Sequence, residues 1–122
     1  MASRTDIVHR EAICMEYPDL VQTLIDSLGA SVVAAMTGAG SRSLPKAWTQ
    51  GTRPGPEKLD RLVTGYRVWK LIYDAEGKHI ALSWMVGSNP RLGENTPVTA
   101  IREGRKVEVL GAAEAFVNDV PA

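Results

Sequence analysis

The sequence predicts an all-α protein: a compact multi-helix domain with a helix-turn-helix-like N-terminal part and a C-terminal helical part. Three observations predict it. Apolar residues recur three and four apart over most of the chain, which places them on one face of a helix. Gly, Pro, Ser and Thr fall between these segments, where helices start and stop. No alternating run of β-branched residues reads as a strand, and no internal repeat is visible. A chain of 122 residues fits one compact domain or two helical lobes sharing a core. The division is expected near residue 55, with a helix-turn-helix-like region at 1–55 and the central helix and C-terminal region at 56–122.

Residues 7–16 are fair helix formers with Thr5 or Asp6 available as cap, and this helix is expected to stop before Pro18, which disfavours helix in the residue ahead of it. Leu20, Val21, Leu24, Ile25 and Leu28 then recur at helical spacing, with Asp19 in the opening turn and Gly29 just past the end. Ser31 is placed to cap a short helix through Met36. Residues 37–43 form a Gly- and Ser-rich turn, with Ser43 as the next start. Pro45 falls in the first turn of that next helix, where the missing amide hydrogen has no intrahelical partner to lose. Residues 44–50 are therefore expected to be helical, with Gly51 ending them.

Residues 52–56 form a stiff link, and Pro56 opens the strongest helical pattern in the chain. Leu59, Leu62, Val63, Tyr66, Trp69 and Tyr73 make its apolar stripe, and Lys58, Arg61, Arg67 and Lys70 a basic flank. Residues 74–78 break it, after which Ile80, Ala81, Trp84 and Met85 give a short amphipathic helix. Ser88, Asn89, Pro90 and Gly93 define a turn. Thr96 as cap, Pro97 at the first helical position and Gly104 at the exit bracket another short helix, and a final helix is expected over 105–118.

Fourteen basic residues offset fourteen acidic ones, so bulk charge supplies no general attraction to nucleic acid or anionic membrane. Cys14 is the sole cysteine, which leaves no internal disulfide and fits a reducing compartment; a cytoplasmic location is expected. No run approaches the roughly 20 apolar residues that span a bilayer, so no membrane partner is expected.

Local charge is more informative. Between residues 38 and 55 there are three basic residues and no acidic one. Ser41, Arg42, Ser43, Lys46, Gln50 and Arg53 would face outward from the second helix of a helix-turn-helix and could meet DNA. Three packed helices with Trp48 in their core are an equal alternative. Specific operator binding would require a dimer, since one module makes few contacts.

At the C-terminus the apolar faces are in excess. Val109, Ala112, Ala113, Phe116 and Val120 form one helical stripe, and Val107, Leu110, Gly111 and Val117 form another beside it. In a small chain one side packs easily on its own domain, which leaves the other for a partner or a second copy. The alternative is a helix wrapped wholly into its own core. Which stripe faces inward is not fixed by spacing.

Enzyme readings are weaker, and no catalytic residue, metal or cofactor is expected. His9 and His79 are far apart, Cys14 has no activating motif, and no glycine loop ends in Lys-Ser or Lys-Thr. Gly38 and Gly40 lack the preceding strand of a dinucleotide site. Asp6 and His9 make only a two-member cluster.

Two motifs carry a resemblance. The first is Ala47, Trp48, Thr49, Gln50 and Gly51, followed by the proline-led helix with Leu59, Arg61 and Leu62. The second, more specific, is Trp84, then Ser88, Asn89, Pro90, Arg91, Leu92 and Gly93, then Thr96, Pro97, Ile101, Arg102, Glu103, Gly104 and Val107. In this order they resemble the Xre/MbcA/ParS toxin-binding antitoxin family, over nearly the whole chain after about Leu20. The departure is Leu44 and Pro45 ahead of Lys46, in the helix that would read DNA. The resemblance implies the antitoxin of a type II toxin-antitoxin system, whose partner is a RES-domain toxin that consumes NAD. NAD would be the toxin's substrate, not a cofactor here. The C-terminal part is expected to cover the toxin's active site through Asn89, Pro90, Leu92, Arg102, Val107, Leu110, Glu114, Phe116 and Val117. Leu110 and Phe116 would be the apolar anchors, and Glu108, Glu114 and Asp119 could pair with the toxin's basic groups. A homodimer and autoregulation through operator DNA complete that reading. The alternative is a stand-alone helix-turn-helix regulator with no toxin.

Overall fold

The computed structural model describes residues 15–119. Residues 7–14 of the helix expected over 7–16, with Thr5, Asp6, His9 and Cys14, and the apolar Val120 lie outside the described residues; Met15 and Glu16 are described and are not helical. Seven α-helices and one 3-10 turn follow in order: α1 (Tyr17–Leu28), α2 (Ala30–Thr37), α3 (Ser43–Thr49), α4 (Pro56–Glu76), α5 (Lys78–Val86), the 3-10 turn Pro90–Leu92, α6 (Pro97–Arg102) and α7 (Lys106–Val117). Among the described residues there is no strand, and the protein is all-α as its periodicity predicts.

Several boundaries differ from the sequence reading for local reasons. Helix α1 starts at Tyr17, and Pro18 sits in its first turn behind an extended Glu16, where its missing N–H costs no helical hydrogen bond. Gly29 alone divides α1 from α2, and at φ 92° it bends the chain by 118° between them. That turn is so tight that α2 starts at Ala30, which leaves Ser31 inside the helix rather than capping it. Ser43 is likewise the first helical residue of α3, with Arg42 ahead of it, and shares a hydrogen bond of 2.9 Å with Ser41. Gly77 (φ 89°) is the whole break between α4 and α5; the helix runs through Glu76, past the expected stop.

The 21 residues of α4 form the axis of the molecule, about 32 Å long at the usual helical rise. It packs against α1, α2, α5, α6 and α7. Leu62, Tyr66 and Trp69 of the predicted stripe are buried, and so are Thr64, Gly65, Val68, Leu71 and Ile72. A helix ringed by five others has no single apolar face, which is why its period alone understated its burial. At Gly65 a Cβ would overlap the thioether of the fully buried Met36, so the glycine is what brings α2 against α4. One core, from Leu20 through Trp48 to Ala113, runs through both halves of the chain.

Side chains fasten the ends of these elements. Arg61 of α4 donates to the carbonyl of Thr37 at 2.8 Å and so satisfies the C-terminal end of α2 with a cation. Thr96 caps α6 as predicted, its hydroxyl oxygen accepting from the Thr99 amide at 3.0 Å. Arg105 links the 3-10 turn to α7. It donates to the carbonyl of Leu92 at 3.4 Å and pairs with Glu108 at 2.6 Å.

Candidate functional site

Two surfaces gather the residues singled out from the sequence. The first lies where the α1–α2 corner faces α3. All six candidates, Ser41, Arg42, Ser43, Lys46, Gln50 and Arg53, are exposed. Four of them, Ser41, Arg42, Ser43 and Lys46, border an open groove of about 800 Å³ with Gln22, Ile25 and Ser31 on its other wall. Gln50 and Arg53 lie past the far end of α3. There Arg53 stands 5.8 Å from the Tyr17 ring, whose hydroxyl donates to the carbonyl of Gly51. Trp48 and Pro45 point inward. Pro45 is thus a core residue and does not occupy the outer face that Lys46 presents.

The second surface is built on α7 and the loop before it. Val109, Ala112 and Ala113 face the core, which identifies the inward stripe. Phe116, which spacing groups with that stripe, is nevertheless 39 % exposed; of the other stripe Val107 is 83 % exposed, while Leu110 and Val117 are half-buried and pack against the core at its edge. The outward stripe is therefore narrower than the sequence suggests. The Phe116 ring lies 6.2 Å from that of Trp84, and together with Ser88, Asn89, Pro90, Arg91 and Ala112 they line a notch of about 270 Å³. This notch brings Asn89, Pro90 and Phe116 together. It is apolar at its base and edged by one amide, one hydroxyl and one cation, a composition suited to receiving a side chain of another protein.

Four expected contact residues are placed otherwise. Leu92 is fully buried: the 3-10 turn sends Pro90 and Arg91 outward and Leu92 into the core, so it can support the notch but not touch a partner. Arg102 lies beside Gly38 and Arg61, at the seam between α2 and α6, away from the notch. Glu108 is already engaged by Arg105, whose hydrogen bond holds its carboxyl below the usual carboxylate range, the ion-pair attraction adding to this against the opposing effect of desolvation. Glu114 is half-buried on the flank of α7.

One apolar feature was not singled out. Ala81 and Met85 take the buried side of α5, which leaves Ile80, Leu82 and Val86 exposed, with Tyr73 at the end of α4. The signal was present as a nine-residue helix apolar nearly all round. Ile80 was assigned inward because it shares a face with Trp84, itself only half-buried.

Among the described residues no group of three or more His, Cys, Asp or Glu side chains could hold a metal ion, and no single helix is long and apolar enough to cross a membrane. No protein-family model, curated protein or solved structure matches the chain.

Proposed function

We propose that the chain is an antitoxin of the type II kind, which blocks a RES-domain, NAD-degrading toxin by seating α7 and the Trp84–Phe116 notch over the toxin's active site. The observation that carries this reading is Phe116, exposed at the rim of a preformed notch, with Val107 exposed on another side of the same helix. An exposed aromatic side chain at a recess is what a partner surface is built around. The resemblance of the 84–107 segment to the antitoxin family supports the same assignment and supplies the toxin class. Inhibition of this kind needs no chemistry from the chain; it requires shape, an apolar anchor and a polar rim.

Truncation after Gly104 does not test the proposal, because Val109, Ala112 and Ala113 belong to the core and their loss would unfold the chain. The test is co-expression of the chain with the product of the neighbouring reading frame. Wild type is expected to restore growth, and a Val107→Glu, Phe116→Glu double variant to lose protection while remaining folded. Protection undiminished in that variant would remove α7 from the inhibitory surface.

A second activity, operator binding by the α2–α3 unit as a helix-turn-helix in a homodimer, is favoured by the exposed Arg42 and Lys46 along the 800 Å³ groove. In this role the chain autoregulates its operon; without a toxin partner the same unit would make it a stand-alone regulator. Arg42→Ala and Lys46→Ala are expected to weaken operator binding and each to lower the salt slope by about 1.

A further inference from the structure

We infer that Arg67 is an anchor for an acidic side chain of the protein partner, at the seam between α4 and α7. This rests on the antitoxin reading for the partner's identity, but its physical basis is independent of it. Arg67 Nε is buried and has no hydrogen-bond partner. No ion pair or hydrogen bond engages the rest of its guanidinium among the described residues. The two carboxylates that α4 carries seven residues to either side of it are each bonded to a lysine. Asp60 holds Lys106 at 3.0 Å, and Asp74 holds Lys70 at 3.1 Å.

A half-buried guanidinium without a counter-ion is costly in the free chain, because it has lost water on one side and gained nothing in exchange. Such a group calls for an explanation, and with Nε covered the terminal NH2 groups of this half-buried side chain are the donors that a partner could reach.

The position fits a partner contact. The Lys106–Asp60 pair fixes one end of α7 against α4, and Val117 lies over Leu71 and Ala75 at the other. Arg67, between Asp60 and Leu71 on the helix, lies by helical register on the side of α4 that meets α7. The half-buried Val63 is one turn before it. The four N–H donors on the two terminal nitrogens of the guanidinium are matched end-on by a carboxylate, which accepts two parallel hydrogen bonds. Electrostatic complementarity thus selects an Asp or Glu of the toxin, carried on the element that covers α7.

The experiment has two arms. Arg67→Met keeps the length of the side chain and removes its charge and donors. In the free chain thermal unfolding of this variant is expected at or above the wild-type temperature, since an uncompensated charge has been removed. A clear loss of stability would mean that the guanidinium serves the fold, and would overturn the inference. In the second arm the purified product of the neighbouring reading frame is titrated calorimetrically with each chain. Wild type is expected to bind, and Arg67→Met to bind at least about tenfold more weakly. Equal affinity would overturn this inference alone; no binding by the wild type would overturn the antitoxin reading and this inference with it.

Discussion

Thr96 and Glu108 show how far single side chains carry the C-terminal surface. The Thr96 hydroxyl satisfies an otherwise orphaned amide at the start of α6, so Thr96→Ala is expected to cost about 1 kcal/mol of stability, readable as a lowered midpoint in denaturant. Glu108 bears on pH. Its pKa in the folded chain is lowered, first by the hydrogen bond from Arg105 and then by that cation's charge, with desolvation opposing both. Stability from a depressed carboxylate is present above its unfolded pKa and is lost as pH falls through the folded value. Arg105 keeps its proton throughout this range, so the acid window belongs to Glu108. Unfolding midpoints of wild type and Glu108→Gln are therefore expected to differ by a small amount near neutrality and to converge in acid. The pair is exposed to solvent, and added salt should shrink the difference. A gap that persists below the carboxylate range would mean that Glu108 acts through something other than its charge.

Helices were legible where the sequence marks both their faces and their ends. Pro56 at the first position of α4 and Thr96 with Pro97 at α6 needed no knowledge of the neighbours, whereas which stripe of α7 faces inward did. Burial on α4 and α5 was not legible in the same way. Gly65 reads as a weak point in a helix, and only the approach of Met36 explains it. Gly65→Val is expected to destabilise the chain by about 1–3 kcal/mol through overpacking, a loss that a thermal melt would register. A variant as stable as wild type would show that α2 can move aside. Ile80 was misassigned for a related reason: an element apolar on most sides gives no phase, and tertiary packing alone decides which residues face the core. The same holds for Leu92, whose inward turn depends on the left-handed Gly93 after it (φ 66°).

For the molecule as a whole, the two candidate surfaces share one scaffold. The α4 helix carries Arg61, which closes α2, and Asp60, which holds α7. One core runs from Trp48 in α3 to Ala113 in α7, so the groove beside α3 and the outer face of α7 are held on a common body. Sequence patterning marked residues of both candidate surfaces, since cations and surplus apolar stripes are local properties. It did not reveal which members of each would converge, because Asn89, Pro90 and Phe116 meet only when α7 folds back beside the 3-10 turn. Nor did it mark Arg67, which appears in sequence as one of four cations on a basic flank and is set apart only by its missing partner.

The proposed inhibitory role of α7 is tested most directly by following NAD consumption by the neighbouring toxin as the purified chain is added. Wild type is predicted to stop NAD loss near stoichiometric amounts, while the folded Val107→Glu, Phe116→Glu variant leaves it running. Equal inhibition by both, or none by the wild type, would contradict the account.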